Sequence, residues 1–253
     1  MANWYLIRGL MREAGHWGDF LKDLEEKFPN DKIFCLEIPG NGKYFQEKSP
    51  CSISKMVGFA RREFQQLQKE NPSEKNYLLS ISMGSMVGLA WLSHYPQDFH
   101  GAILINTSFR GLSPFYERLR PQCYGKVLKM LFTSSVAERE ETLVKIISNR
   151  PDKWAVTAKK WIEIQEKRPV NNANALRQLL AAACFHAPYA IKLPRVLLLN
   201  SLADRMVSSR CSENAKKRWG VDLRTHSSAG HDLPHDDGAW VAQEIKNWIS
   251  THA

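Results

Sequence analysis

Cysteine is scarce and scattered in this 253-residue chain, with five residues at 35, 51, 123, 184 and 211 and no C-x-x-C pair. An odd set without ligand spacing argues against a disulfide framework or a zinc site. It fits reduced thiols, and a cytoplasmic location is expected. No apolar run approaches the ~20 residues that a membrane-spanning helix needs. The start, Met1 to Arg8, has a short apolar stretch and no charged region ahead of it, so no signal peptide is expected. Repeats and low-complexity tracts are also missing. No cluster of His, Cys and carboxylates has metal-ligand spacing, and Gly40-Asn41-Gly42 is a turn rather than a phosphate-binding loop opening a helix. Neither a metal nor a cofactor is expected.

What is present is ordinary globular composition, 43% apolar and 24% charged, which excludes a disordered chain. At this length roughly three quarters of the unfolded surface can be buried, ample for a core without staples. The net charge is +9, and it is unevenly placed. Between Arg110 and Leu193 there are 15 basic and 7 acidic residues, a net of +8.

Short apolar runs alternate with helical patterns. Trp4–Ile7, Ile33–Ile38, Tyr77–Ile81, Ala102–Ile105, Val196–Leu199 and the more mixed Leu223–His226 read as strands. Continuous apolar runs of this length suit a parallel sheet buried on both faces. His16–Phe28, Ser52–Lys69 (with Ser52 as N-cap), Gly84–Tyr95 and Ala239–Ile249 read as helices. Gly84–Tyr95 is apolar almost all round and so deeply buried. The alternation predicts an α/β fold, a doubly wound, mostly parallel sheet of about six strands. It breaks once. From 110 to 193 only helical stretches follow one another, at Pro114–Phe132, Val136–Ser148, Pro151–Gln165 and Ala173–Phe185. The expected division is a core of residues 1–109 and 194–253 with a helical cap of residues 110–193 over the carboxyl ends of the strands.

Three residues stand where chemistry is expected. Ser80-Ile81-Ser82-Met83-Gly84 runs from strand into helix with Ser82 at the corner, close to the G-x-S-x-G elbow but with Ser80 in place of the first glycine. Asp204 lies in the loop after the next-to-last strand, and His231 in the loop after the last. Singly, each reads as well as a turn, a cap or surface decoration. Together, in the order Ser, Asp, His and at one sheet edge, they point to nucleophilic catalysis. His94 and His100 lie away from that edge, and His235 opens the last helix between Pro234 and Asp236. Asp232 is expected to point away along the chain, and Asn106-Thr107-Ser108 offers no carboxylate.

Over essentially its whole length the chain resembles the α/β-hydrolase fold superfamily. Arg8-Gly9-Leu10 resembles the strand end that is normally His-Gly. Ile38-Pro39-Gly40-Asn41-Gly42 resembles the D-x-P-G-x-G turn, and Ser82-Met83-Gly84-Ser85 the common S-M-G-G. The segments around Asp204 and Ala229-Gly230-His231 match the acid and histidine loops. The resemblance implies Ser82 as nucleophile, His231 as base, Asp204 as its orienting acid, and an oxyanion hole from the backbone N–H of Leu10 and Met83. Three departures stand out. Arg8 replaces the usual histidine where it could crowd or charge the oxyanion region, Ser80 replaces glycine, and the two leading antiparallel strands are missing.

The expected function is a serine hydrolase acting on a small-molecule carboxylic ester or thioester through an acyl-enzyme. A C–C hydrolase or lyase using the same triad on an anionic substrate, a carrier-protein methyl esterase, and a ligand-binding protein on a hydrolase scaffold are the alternatives. Lys153, Lys159, Lys160, Lys167 and Arg168 surround one helix bearing Trp154, Trp161 and Ile162. They read either as a solvated face or as a field drawing in an acidic substrate or carrier protein. No nucleic-acid motif accompanies them.

Overall fold

The computed structural model describes residues 1–188, 191 and 193–251. Six strands form one sheet: β1 (Ala2–Ile7), β2 (Lys32–Leu36), β3 (Lys75–Ile81), β4 (Gly101–Ile105), β5 (Arg195–Ser201) and β6 (Asp222–His226). Their order is β2-β1-β3-β4-β5-β6, and every pairing is parallel. Ile7 registers with Leu36 and Ser80, Ile81 with Ile105, Ile105 with Leu199, and Ser201 with His226. All strands therefore end along one edge. The direction of winding reverses between β1 and β3, which leaves a crevice at their carboxyl ends where ligands bind in open sheets. This is the α/β-hydrolase architecture expected from the sequence.

The strands bury alternate residues in two cores, as a period of two requires. Trp4 and Leu6 pack with Trp17, Phe20, Val241 and Trp248 on one face. Tyr5 and Ile7 pack with Met56, Phe64, Val87 and Trp91 on the other. Each large side chain so buried contributes roughly 1.5–3 kcal/mol before conformational entropy is counted. The first face carries α1 (Phe20–Lys27) and α11 (Gly238–Thr251), and the second α2 (Ile53–Glu70) and α3 (Met83–His94). In α3 every residue from Met83 to Leu92 is buried, as its all-round apolar pattern predicts.

Between β4 and β5 the described residues are helical or irregular apart from one isolated bridge, Arg110 to His186. The helices are α4 (Phe115–Arg118), α5 (Tyr124–Phe132), α6 (Val136–Ile147), α7 (Trp154–Lys167) and α8 (Asn172–Cys184). Tyr189, Ala190 and Lys192, counted in that segment above, lie outside the described residues. Beyond β5 follow α9 (Arg210–Trp219) and the single turn α10 (Leu233–Asp236).

Several expected elements need correction. His16–Phe28 is not one helix, because a 3-10 turn at Ala14–Trp17 stops at Gly18, with φ 54°, before α1 begins. Pro114–Phe132 is broken at Leu119 and Arg120. Pro121 forces extended backbone on Arg120 (φ −63°, ψ 139°) and starts a short 3-10 turn ahead of α5. Ser52 occupies the N-cap of α2, but its side chain makes no capping bond. His235 belongs to α10, not to the last helix, which starts at Gly238.

Candidate active site

Ser82 sits between β3 and α3 with φ 58° and ψ −122°, a backbone conformation that costs a non-glycine residue of order 1–3 kcal/mol. Gly84 makes the tight turn possible. A Cβ there would lie 2.5 Å from the carbonyl oxygen of Arg8 and 2.6 Å from that of Ile7. Ser80 fits in place of the family's glycine because Gly88 faces it. A Cβ on Gly88 would come within 2.8 Å of the Ser80 hydroxyl.

The structure brings the three expected side chains together. The Nδ1–H of His231 donates to Asp204 Oδ2 at 2.7 Å, and the Ser82 hydroxyl donates to His231 Nε2 at 2.9 Å. A carboxylate only accepts, so the Asp204 contact assigns the proton to Nδ1 and leaves Nε2 free as a base. The other Asp204 oxygen accepts the backbone N–H groups of Met206 and Val207 at 2.7 and 2.9 Å, which fixes the carboxylate. Burial opposes charging His231, but Asp204, with Asp232 adding to it, outweighs burial and holds the imidazole pKa above its ordinary value. His94 and His100 take no part.

Leu10 and Met83 both line the cavity beside Ser82. A Cβ on Gly9 would lie 3.2 Å from Ser82 Cβ, so the Arg8-Gly9-Leu10 turn passes directly against the hydroxyl-bearing residue. Met83 is the first residue of α3, where backbone N–H groups have no partner within the helix.

Asp232 does not point away as expected. It is buried and takes a two-pronged ion pair from Arg8, at 3.0 and 2.5 Å, and both residues line the cavity. The pair forms because the histidine loop closes over the end of β1. Burial works against the Asp232 carboxylate, and Arg8 overcomes it, holding the pKa below the usual range. Arg8 thus brings charge to this region, but a charge already matched.

Two further residues position the loops. Asn106 directly follows β4 with φ 43°, donates to the carbonyls of His231 (2.7 Å) and Gly230 (3.3 Å), and accepts from the N–H of Ser201. Asp236 accepts from Ser148 Oγ, Asn149 N and Gly230 N, at 2.6 to 2.8 Å, joining the histidine loop to the end of α6. The N–H of Asp232 donates to Ile147 O at 2.8 Å, while Arg205 donates to the carbonyls of Lys145 and Ser148. The loops carrying Asp204 and His231 are therefore both stitched to the helical segment.

Ser82 and His231 face a cavity of about 430 Å³ whose walls are mainly apolar, among them Met86, Val127, Met130, Leu143 and Met206. The charged residues in its lining are Arg8, Arg12, Arg118, Arg139 and Asp232. Lys153, Lys159, Lys160 and Lys167 are exposed instead, and Arg168 pairs with Glu13. Among the described residues no group of three or more His, Cys, Asp or Glu could hold a metal ion, and no helix is long and apolar enough to cross a membrane.

Residues 5–238 match the family model described as serine aminopeptidase, S33. A search of curated proteins finds no significant match. Among solved structures the chain is similar to 2-hydroxy-6-oxo-6-phenylhexa-2,4-dienoate hydrolase from Rhodococcus sp. strain RHA1, with TM-score 0.78, 17% identity, and 98% of this chain and 90% of that one covered. It is also similar to a lipase-esterase related protein from Clostridium acetobutylicum ATCC 824 (TM-score 0.75, 14% identity, 98% and 94% covered). An esterase from Rhodococcus sp. ECU1013 gives TM-score 0.76 at 15% identity, with 98% and 90% covered. At these identities the likeness is one of fold.

Proposed function

Because this chain belongs to the serine aminopeptidase S33 family and is an α/β-hydrolase enzyme, we propose that it cleaves a carboxylic ester or thioester through an acyl-enzyme on Ser82. The observation that carries this reading is the continuous line of hydrogen bonds from Ser82 through His231 to Asp204 at the wall of an apolar cavity. His231 Nε2 takes the Ser82 proton as Oγ attacks the acyl carbon. The N–H groups of Leu10 and Met83 receive the oxyanion that develops. Asp204 steadies the imidazolium, which then hands its proton to the leaving oxygen or sulfur. A water activated by the same imidazole attacks the acyl-enzyme, releasing the acid and restoring Ser82.

The lining argues against an aminopeptidase substrate. A peptide's α-ammonium group needs a carboxylate, and the one carboxylate lining the cavity, Asp232, is engaged by Arg8. Acyl chains, by contrast, suit the methionine- and leucine-rich wall.

A panel of acyl esters and thioesters, graded in chain length and terminal charge, tests the proposal. Turnover of at least one ester or thioester, reduced by several orders of magnitude in Ser82→Ala, is the expected result. Activity that survives in Ser82→Ala, or that is confined to peptides, overturns it.

A second reading keeps the chemistry and delivers the acyl group on an acidic carrier protein. It is favoured by the exposure of Lys153, Lys159, Lys160 and Lys167 along and beside α7. Steering by such a field weakens as the Debye length falls from ~30 Å at 0.01 M salt to ~10 Å at 0.1 M. In this reading kcat/KM for a carrier-bound substrate drops over that range, and drops further in Lys159→Glu/Lys160→Glu. A salt-independent value in both proteins dismisses it.

A further inference from the structure

Among the described residues, two arginines in the cavity wall have no carboxylate partner. Arg8 is matched by Asp232, and Arg12 by Glu140 at 2.7 Å. Among the described residues no carboxylate lies within ion-pair distance of Arg118 or Arg139, although both line the cavity. They differ in burial. Arg118 is half-buried and donates to the carbonyls of Ala182 and Ala183 at the end of α8. Arg139, on α6, is only 4% exposed. Its hydrogen bonds are long, Nη1 to Val170 O at 3.4 Å and to Asn172 Oδ1 at 3.3 Å, and its buried Nε has no acceptor. Good N–H···O bonds fall between about 2.7 and 3.2 Å, so the described contacts leave this guanidinium poorly satisfied.

The charges around it are few and can be named. Arg12 and Glu140 face it and cancel one another. His16, whose Nδ1 accepts the backbone N–H of Glu13 and whose Nε2 lies 2.9 Å from Arg12 Nη1, is kept neutral by burial and by the nearby Arg12 and Arg8, which push its pKa well below the usual value. This local group therefore carries one net positive charge, that of Arg139, and Arg118, resting on the carbonyls of Ala182 and Ala183, adds a second at the wall of the same cavity. Burying a cation without a partner costs several kcal/mol, and an incoming anion removes that cost. A guanidinium offers parallel donors spaced to fit the two oxygens of a carboxylate.

We propose that Arg139 binds a terminal carboxylate on the acyl chain, so that the substrate is the ester or thioester of a dicarboxylic acid, attacked at one end by Ser82 and held at the other by Arg139. The inference rests on the hydrolase reading above, and it concerns binding, so it can be tested without turnover. Arg139 is a specificity residue here, since it touches the far end of the substrate and not the reacting atoms.

The test uses the Ser82→Ala protein and calorimetric titration with straight-chain diacids, each supplied as its monomethyl and as its dimethyl ester. At the chain length that fits, the half-ester should bind at least about tenfold more tightly, a difference of ~1.4 kcal/mol. The preference should vanish in Ser82→Ala/Arg139→Gln and return in part in Ser82→Ala/Arg139→Lys, which keeps the charge but not the fork. Equal binding of both esters at every length, or a preference that persists in the Arg139→Gln protein, overturns the proposal. Should the Arg139→Gln protein fail to fold, as seen by circular dichroism, Ser82→Ala/Arg139→Lys decides the matter: a preference undiminished there overturns the proposal. Turnover of a neutral ester by the wild-type protein reports separately on the hydrolase reading, so the two can fail independently.

Discussion

Arg8 and Asp232, 224 positions apart in the chain, grip one another through Nη1 and Nη2 of the guanidinium and both carboxylate oxygens. The guanidinium also lies over the ring of Trp17, 4.7 Å from its centre. One partner precedes the Gly9-Leu10 turn beside Ser82 and the other follows His231, so the pair ties the proposed oxyanion turn to the proposed base. Removing one side of a buried ion pair leaves the other uncompensated, at a cost of about 3–5 kcal/mol.

The pair also sets two opposite charges near His231, and these should be separable by pH. The acid limb of kcat/KM reports the free enzyme's base, which must be neutral to accept the Ser82 proton. Asp232 raises the His231 pKa and Arg8 lowers it. In Asp232→Asn the limb should move to lower pH, and in Arg8→Met to higher pH, with plateau activity reduced by up to ~10²-fold in each as the turn loses its anchor. An acid limb that stays in place in both variants would show that the pair serves packing alone.

Ser80 and Gly88 form a second coupled pair. A methyl group on Gly88 would meet the Ser80 hydroxyl at 2.8 Å, with Leu104 at 3.1 Å behind it. Gly88→Ala should therefore cost about 1–3 kcal/mol in urea unfolding. Ser80→Gly in the same chain should recover a clear part of that loss, since it removes the nearest obstacle. Strict additivity of the two changes would show that Ser80 is not what excludes the methyl group.

Glu37 gives a stability effect with a definite sign. Burial, first, raises its pKa from 4.5 to about 7 in the folded protein. The folded state thus keeps a proton that the unfolded chain has already released, and stability falls as pH rises from 4.5 through about 7. Glu37→Gln removes that loss while its amide oxygen can still accept from Ala14 N, now bonded to Glu37 Oε1 at 2.9 Å. The variant should gain little over wild type at pH 5 and up to about 3 kcal/mol at pH 8. A difference independent of pH in urea unfolding would refute this.

The strands and the three candidate catalytic side chains are legible in the sequence for one reason. A parallel sheet buried on both faces forces continuous apolar runs, and its topology puts every following loop at one edge. The positions of Ser82, Asp204 and His231 follow from that edge. Helix boundaries are less legible, since Gly18 and Pro121 break stretches whose apolar pattern runs on through them. The Arg8–Asp232 pair is illegible although Asp232 adjoins His231, because a local reading cannot show that the histidine loop folds back over the end of β1. Asn106 escapes because it works through an amide, where a carboxylate was the expected feature. Arg139 is hidden among fifteen basic residues of one segment, and only packing separates the one that turns inward from the lysines left in solvent.

The central claim, a covalent intermediate on Ser82, is tested most directly by mass spectrometry of the protein treated with a fluorophosphonate ester. One adduct is expected, carried by the peptide that contains Ser82, absent in Ser82→Ala and formed far more slowly in His231→Ala. An adduct on Ser80 or any other residue, or labelling that persists in Ser82→Ala, would contradict it.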